Sequence, residues 1–102
     1  MNAFTALFAT AALALSTNVA LAKDVQPDEV VKLVQSQQIQ SLDALKQKAA
    51  SQHPGATVTD SELENEYGRY IYKVELRDAQ NVEWDVDLDA KTGEILKNAK
   101  DS

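Results

Sequence analysis

Two runs of alternating apolar and charged residues constrain the fold of this chain more than any other feature. They occupy residues 70–77 and 82–89. Runs with a period of two that are rich in β-branched and aromatic residues are typical of half-buried β-strands. The two runs therefore predict an antiparallel hairpin with one apolar and one charged face. The predicted core residues on the apolar face are Tyr70, Tyr72, Val74, Leu76, Val82, Trp84, Val86 and Leu88.

The loop between the runs determines how the two strands pair. Their apolar faces coincide only if the loop has an odd number of residues. A three-residue loop over 79–81, with Asn81 in the left-handed conformation, meets this condition. The resulting pairs are Arg77–Glu83 and Lys73–Asp87, which attract, and Glu75–Asp85, which repels. Sliding the strands by two residues leaves one attractive pair, and each pair contributes roughly 0.2–1 kcal/mol. We therefore predict the first register.

The N-terminal part of the chain predicts export. Residues 1–22 contain no charged side chain, residues 3–15 are mostly apolar, and Ala20-Leu21-Ala22 is a small-x-small cleavage signal before Lys23. This pattern predicts a signal peptide over 1–22 that is cleaved, although its first residues lack Lys or Arg. A membrane anchor is the alternative, but the apolar run is shorter than the roughly 20 residues of a span. We expect a periplasmic or secreted protein.

Charge and composition exclude several classes of partner. Removing 22 of the 102 residues leaves 80, which hold all 16 acidic and all 10 basic side chains, for a net charge of −6. This balance argues against nucleic acid and anionic membranes as ligands. The chain has no Cys, so disulfides and a lipid attachment site are excluded. We predict one domain over 23–97, a flexible tail over 98–102, and no membrane contact after signal cleavage.

The residues before the hairpin predict two helices. Pro27 suits the first turn of a helix that ends within 35–38. Ser41 suits the N-cap of a second helix, which stops at His53-Pro54-Gly55. We therefore expect an α+β fold in which two N-terminal helices precede a three- to four-stranded antiparallel meander, with a helix packed on one face.

Two weaker strands flank the hairpin. The first covers 56–64 and requires either a bulge or a short length, because Val58 and Leu63 have opposite parity. Residues 66–68 form the turn that follows it. After the hairpin, residues 89–93 predict a turn with Gly93 at positive φ, and residues 94–96 predict a brief terminal strand.

The hairpin sequence resembles the PepSY domain family. Residues 70–76 read YIYKVEL and residues 84–96 read WDVDLDAKTGEIL. The family pattern is a Tyr-x-Val strand, a turn, and a strand ending in Val-Asp-Ala-x-Thr-Gly-Glu-Val-Leu. The helix ending at His53-Pro54-Gly55 is similar too, so the resemblance covers roughly 28–96. This chain has Leu88 where Val is usual, and Asn81 where Gly is common.

The resemblance implies a non-catalytic module. Family members occur in exported proteins and in propeptides of thermolysin-like metalloproteases, where they restrain peptidases or engage envelope proteins. The family has no catalytic residues to carry over, and the resemblance implies no cofactor. It therefore implies a protein partner in the cell envelope, either a peptidase or a sensor.

Candidate chemical sites have simpler structural explanations. The acidic residues at 85, 87 and 89 resemble the start of a calcium loop, but the sixth position is Ala90 and the twelfth is Leu96. We therefore predict a solvated strand face and no specific metal site. His53 is the single His and Cys is absent, so zinc sites and Cys–His catalysis lack ligands. No nucleophile motif surrounds any Ser, and we predict no enzyme activity.

Aromatic residues offer a second candidate site. Tyr67, Tyr70, Tyr72 and Trp84 could line a ligand groove. We favour instead core positions for the last three and a turn position for Tyr67. A groove lined by apolar side chains with convergent polar groups would favour ligand binding.

Two function classes remain open. The first is an interaction module that binds and modulates an exported peptidase, for example by inhibiting it, or another envelope protein, through an exposed strand edge or the charged strand face. Its candidate contact residues are Lys73, Glu75, Glu83, Asp85 and Asp87. The second is an accessory protein that senses a small ligand or a cation in a pocket between helix and sheet.

Overall fold

The structure is a computed structural model that describes residues 22–101. Apart from Ala22, the predicted signal peptide lies outside the described residues. The elements, in chain order, are β1 Ala22–Asp24, α1 Pro27–Gln35, α2 Leu42–Ser51, β2 Thr57–Glu66, β3 Arg69–Arg77, β4 Glu83–Asp89 and β5 Ile95–Lys100. The strands form one antiparallel sheet in the order β1-β2-β3-β4-β5.

The predicted fold class is wrong in strand number and in helix position. The sheet has five strands rather than three or four, and the helices follow β1 instead of opening the domain. The strand β1 has three residues and pairs with 64–66 of β2. Three residues are too few to show a period of two, so the sequence carries no signal for this strand.

The last strand is longer than predicted. Only 94–96 were predicted as strand, with a flexible tail over 98–102, whereas β5 continues through Lys100. Beyond β5, the Asp101 amide donates to the Glu83 carbonyl at 2.8 Å. This edge strand carries Lys97, Asn98 and Lys100, so its composition resembles that of a polar tail.

The β3–β4 hairpin has the predicted register. Lys73 pairs with Asp87, Glu75 with Asp85, and Arg77 with Glu83. Asn81 has a φ of 66°, and the Asp78 carboxylate accepts the Gln80 and Val82 amides at 2.9 Å each. The predicted three-residue loop with a left-handed Asn is therefore confirmed.

The β2–β3 connection is a tighter turn. Its central residues Tyr67 and Gly68 have φ values of 57° and 84°, as a type I′ turn requires. The Asn65 side chain accepts the Gly68 amide at 2.9 Å. Within β2, the register shifts between Val58 and Asp60, so the predicted alternative of a bulge is confirmed.

The helices cover one face of the sheet, which we call the inner face. The Ser41 hydroxyl accepts the Ala44 amide at 3.2 Å and caps α2, as predicted. Leu45 and Ala49 of α2 are fully buried, and this helix packs on β3 and β4. The buried core cluster comprises Leu33, Ile39, Leu45, Ala49, Leu63, Tyr72, Val74, Leu76, Val86, Leu88 and Ala90.

The predicted core residues divide into two groups. Five are buried, namely Tyr72, Val74, Leu76, Val86 and Leu88. The remaining three, Tyr70, Val82 and Trp84, are half-buried. The prediction of Trp84 at the core centre differs from the structure, in which the ring lies at the core margin. The reason is that α2 ends at Ser51, so only the segment after the helix reaches over the indole.

Candidate interaction surface

The sheet face opposite the helices, the outer face, concentrates the negative charge of the protein. The strand register assigns to it eleven acidic and four basic side chains, for a net charge of −7. The protein totals 16 acidic and 10 basic residues, so all other positions together carry five acidic and six basic side chains, a net +1. The acidic outer-face residues are Asp24, Asp60, Glu62, Glu64, Glu66, Glu75, Glu83, Asp85, Asp87, Asp89 and Asp101. No element of the described chain, 22–101, covers this face, because both helices contribute to the core on the other side.

The four basic residues of the outer face all form ion pairs. Lys73 lies at the centre of the face, with Nζ at 3.1 Å from a Glu64 oxygen and 3.2 Å from a Glu66 oxygen. Hydrogen bonding to Glu64, assisted by Glu66, raises the pKa of Lys73 far above its ordinary value. The other ion pairs are Arg69–Asp89, Arg77–Glu83 and Lys97–Asp85. Lys73 is thus opposite Asp87, as predicted, but its ammonium contacts β2 instead.

Several carboxylates of the outer face remain in unfavourable surroundings. Loss of hydration and the neighbouring carboxylates of Asp60, Asp85, Glu83 and Asp101 raise the pKa of Glu75. Burial raises the pKa of Asp87, against the attraction of Lys73 and Lys97. Like charges disfavour ionisation, so the raised pKa values indicate that the basic side chains of this face neutralise these carboxylates poorly. They would therefore be available to a cationic partner.

The five predicted contact residues lie together on the outer face, on β3 and β4. They line a shallow depression of about 190 Å³, except for Glu83, which lies toward the hairpin loop. The acidic residues of the rejected calcium loop lie on β4 at the same face. Of these, Asp89 accepts Arg69 Nε at 3.0 Å and the Lys91 amide at 2.9 Å. Its carboxylate therefore closes the β4–β5 turn.

Carboxylates also cluster elsewhere on this face. Two triads have oxygens within 4.8 Å of one another: Asp24–Glu62–Glu64 and Glu75–Glu83–Asp101. Each triad brings together residues from different strands, and for that reason sequence spacing did not reveal them. In the first triad, the hydrogen bond from Lys73 partly neutralises Glu64 and lowers its pKa. The hydrogen bond between Glu62 and Glu64, in contrast, raises the pKa of Glu62.

His53 belongs to a second cluster, at the loop end of the β3–β4 hairpin. Its ring stacks on Trp84 with centroids 4.3 Å apart, and its Nε2 lies 2.7 Å from Asn98 Oδ1. Trp84 Nε1 donates to Asp78 Oδ2 at 3.0 Å, and this bond is the main cause that lowers the pKa of Asp78. His53 thus follows α2 as predicted, and its contacts tie the helix end to β4 and β5.

The inner face also has an open groove of about 550 Å³, between the helices and β2. Its apolar lining comes from Val25 after β1, from both helices and from the sheet, and Asp24, Asp43, Lys46 and Glu62 lie at its sides. The aromatic residues do not share one groove. Tyr67 is 77% exposed at its turn, Tyr72 contributes to this groove, and Trp84 lies at the hairpin end.

Two edges of the sheet lack a partner strand within residues 22–101. One is the outer edge of β5, and the other is formed by β1 together with the first half of β2, which stays unpaired because β1 pairs only with 64–66. The molecule therefore has the bare strand edges expected of an interaction module, and it also has a groove.

Comparison with known proteins identifies similar sequences. The model of the PepSY family, described as "Peptidase propeptide and YPEB domain", matches residues 39–98. The chain is also 36% identical over 55 residues to the uncharacterised protein YkoJ of Bacillus subtilis (strain 168). That match covers 54% of this chain and 32% of YkoJ, so the chain spans about a third of its relative. No solved structure matches the chain significantly.

None of the helices within residues 22–101 combines the length and the apolar character that crossing a membrane requires.

Proposed function

The chain belongs to the PepSY family, and from this premise we propose that it is a non-enzymatic, exported interaction module. In this proposal it binds a protein of the cell envelope or a secreted peptidase and restrains its activity. PepSY domains occur in secreted or envelope proteins, and the family description is consistent with a peptidase-propeptide-like module outside the cell.

The observation that carries the proposal is the uncovered outer face with its net charge of −7. A broad sheet face of one sign, with an internal excess of carboxylates, is electrostatically complementary to a basic protein surface. Complementary charge raises association rates and disfavours wrong partners. The pKa values of Glu75 and Asp87 are raised, so a partner's Lys or Arg near them would relieve repulsion within the face.

The polar clusters of the described chain support a structural interpretation over a catalytic one. The hydrogen bond of His53 goes to Asn98, and its ring is stacked on Trp84. General-base catalysis requires a base within hydrogen-bond reach of a reacting proton. The Asp78 carboxylate is likewise occupied by the Trp84 indole and two loop amides. We therefore propose that the domain has no turnover of its own.

The experiment that tests the proposal is affinity capture from an envelope fraction with residues 23–102 as bait. The matched bait carries Asp85→Lys and Asp87→Lys, which should leave the fold intact because both side chains lie on the outer face. We expect a specific protein on the wild-type bait, and less of it on the variant and at high salt. An empty wild-type capture would contradict the proposal.

A second function has one supporting observation, the groove of about 550 Å³ on the inner face. Its volume and mixed lining suit a small ligand. In this alternative the protein is a sensing accessory protein of the envelope. A small molecule that co-purifies with the domain and saturates it at one equivalent would support the alternative over the protein partner.

A further inference from the structure

The first half of β2 has hydrogen-bonding groups that no strand within residues 22–101 pairs. On the side away from β3, the pairing with β1 covers 64–66, and the Val25 amide then donates to the Leu63 carbonyl at 2.8 Å. Pro27 begins α1, and the chain leaves the sheet edge at this point. Since alternate residues of a strand direct their amides to the same side, Ser61 faces this edge as Leu63 does. The Ser61 amide is bonded only locally, to the Asp60 carboxylate at 2.9 Å.

The inner-face groove meets this edge at Ser61 and Glu62. Ser61, Glu62 and Leu63 of β2 line it, together with Tyr72 of β3, while Val30 and Leu42 of the helices form its apolar wall. The groove lies beside β2 because α2 packs over β3 and β4. A strand added to β2 would direct alternate side chains to the inner side, and those beside Ser61 and Glu62 would lie at this groove.

The opposite side of the same edge is acidic. Asp24, Glu62 and Glu64 have carboxylate oxygens within 4.8 Å of one another, and Asp60 precedes them on the outer face of β2. Hydrogen bonding to Glu64 and repulsion from Asp24 and Asp60 raise the pKa of Glu62. A strand added here would direct its outward side chains beside these carboxylates.

We propose that the edge of β2 over 57–62 binds an extended peptide segment in which apolar residues alternate with Lys or Arg. The segment adds a sixth strand to the sheet in line with β1. Its apolar side chains face the inner side and enter the groove beside Ser61, and its basic side chains pair with Asp60 and Glu62. This mode of binding combines backbone pairing with alternate side-chain pockets. The inference rests on the proposed function, and it names the site and the chemistry of the partner.

The other free edge, the outer edge of β5, is unfavourable for a basic peptide. The strand β5 carries Lys97 and Lys100, and Lys residues on an edge discourage pairing with further strands. A basic peptide is repelled there and attracted at β2. The two edges of one sheet therefore provide an internal comparison for the proposal.

The test is a titration of the isotopically labelled protein with the blocked peptide Val-Lys-Val-Lys-Val-Lys, followed by amide resonances. We expect saturable shifts at 57–62 and slower exchange of the Ser61 amide, with 95–100 unchanged. The peptides Val-Glu-Val-Glu-Val-Glu and Val-Val-Val-Lys-Lys-Lys are controls of charge sign and of alternation. Both should bind at least about tenfold more weakly, because the first peptide places carboxylates beside the acidic edge and the second directs Lys toward the apolar groove as well as toward the edge.

Protein variants separate this edge from the rest of the outer face. Asp60→Lys with Glu62→Lys should weaken Val-Lys-Val-Lys-Val-Lys binding about tenfold, since two attractive pairs become repulsive. Asp85→Lys on β4 is a comparison within the outer face, and it should weaken binding less than the β2 double variant because Asp85 does not lie on the proposed edge. The control Glu94→Lys lies in the exposed β4–β5 turn, and it should change the affinity less than about twofold. Unchanged amide spectra away from the substitutions show that each variant is folded.

The outcomes distinguish this inference from the proposed function. Shifts centred on 95–100, equal binding of the three peptides, or a dimer formed through 57–62 would each overturn the inference. If affinity capture still retains an envelope protein, the proposed function survives that failure. If the peptide binds at 57–62 but capture is empty, the edge site stands and the proposed function fails.

Discussion

Trp84 joins the end of α2 to the β3–β4 hairpin through three kinds of contact. Its ring stacks on His53, its indole nitrogen donates to Asp78, and its inner side packs on the core. The stacking covers one face of the indole, and the hydrogen bond satisfies the polar edge of the ring. Its half-burial means that truncation removes packing without opening a cavity at the centre of the core.

We predict that Trp84→Ala lowers the free energy of unfolding by about 2–3 kcal/mol, less than the 3–5 kcal/mol of a fully buried Trp. Such a loss is a large share of the roughly 4–12 kcal/mol expected for a domain of this size. Trp84→Phe keeps the ring and removes the donor, so it should cost less. Denaturant unfolding measures both changes. A loss below about 1 kcal/mol for Trp84→Ala would contradict the assigned contacts.

Glu75 lies among other carboxylates, and their repulsion disfavours its ionised form. We predict that Glu75→Gln raises the melting temperature at pH 7, since it removes one charge from a crowded set without removing an ion pair. Glu83→Gln is the matched control, and it should not stabilise the protein because Glu83 is paired with Arg77. Equal melting temperatures for Glu75→Gln and the wild type would refute repulsion at this site.

Among the elements, the two hairpins differ in how their turns are held. The β3–β4 loop is held by the Asp78 carboxylate, whereas the β2–β3 turn depends on the positive φ values of Tyr67 and Gly68. Tyr67 is 77% exposed and contributes little burial to offset its left-handed backbone. Tyr is uncommon in that conformation, while Asn and Gly adopt it readily.

Gly68→Ala should therefore destabilise the protein by about 1–2 kcal/mol. A Cβ at this position would meet no atom within 4 Å, so the cost is conformational and not steric crowding by neighbours. Tyr67→Asn should be neutral or stabilising, since it places a favoured residue at the first turn position. Thermal denaturation of the two variants checks this. An unchanged Gly68→Ala protein would be incompatible with the type I′ geometry.

The sequence predicted those elements whose signals are local. Alternation and the signs of cross-strand pairs predicted the β3–β4 register, and opposite parity at Val58 and Leu63 predicted an irregularity in β2. Ser41 predicted the start of α2 because N-caps depend on one residue type. In contrast, β1 is defined only by its pairing with distant residues, and the end of β5 is polar because it lies at an edge.

The candidate surface was only partly predictable for a related reason. Parity assigned the five contact residues to one face, and the structure places them there. How deeply a side chain is buried depends on where the helices lie. Alternation alone therefore did not show that Trp84 lies at the margin of the core. Likewise, the Lys73 ammonium pairs with Glu64 and Glu66 and not with Asp87. This pairing could not be predicted without the position of β2. The inner-face groove also depends on helix placement.

For the whole molecule, the dominant feature is the segregation of charge between two faces. The outer face carries a net −7 and the remainder a net +1, which makes the domain strongly dipolar. Self-repulsion on one face lowers stability, yet it attracts a basic partner and orients it. The arrangement thus lowers the stability of the domain and favours recognition of a basic partner.

This segregation predicts the pH dependence of stability. The pKa values of Glu62, Glu75 and Asp87 are raised in the folded protein, so stability should increase as pH falls from neutral toward the ordinary Glu value of 4.5. The pKa values of Glu64, Asp78 and Asp89 are lowered, so their contribution is present above the ordinary values and is lost as pH falls further. Stability should therefore be maximal at mildly acidic pH.

Melting temperature measured against pH, at low and high salt, checks this expectation. Added salt should raise the melting temperature at pH 7 and flatten the gain on mild acidification, because it screens the repulsion among surface carboxylates. A monotonic fall in stability from neutral to acidic pH would show that the ion pairs outweigh the repulsion.

We propose that the domain acts by protein contact through its outer face and has no turnover of its own. The most direct measurement is a titration of a thermolysin-like peptidase with the isolated domain, in parallel with the Asp85→Lys, Asp87→Lys variant. We expect stoichiometric slowing of the peptidase by the wild type, with slower association for the variant and at high salt. Unchanged rates across a panel of envelope peptidases, or equal inhibition by the folded variant, would contradict the claim.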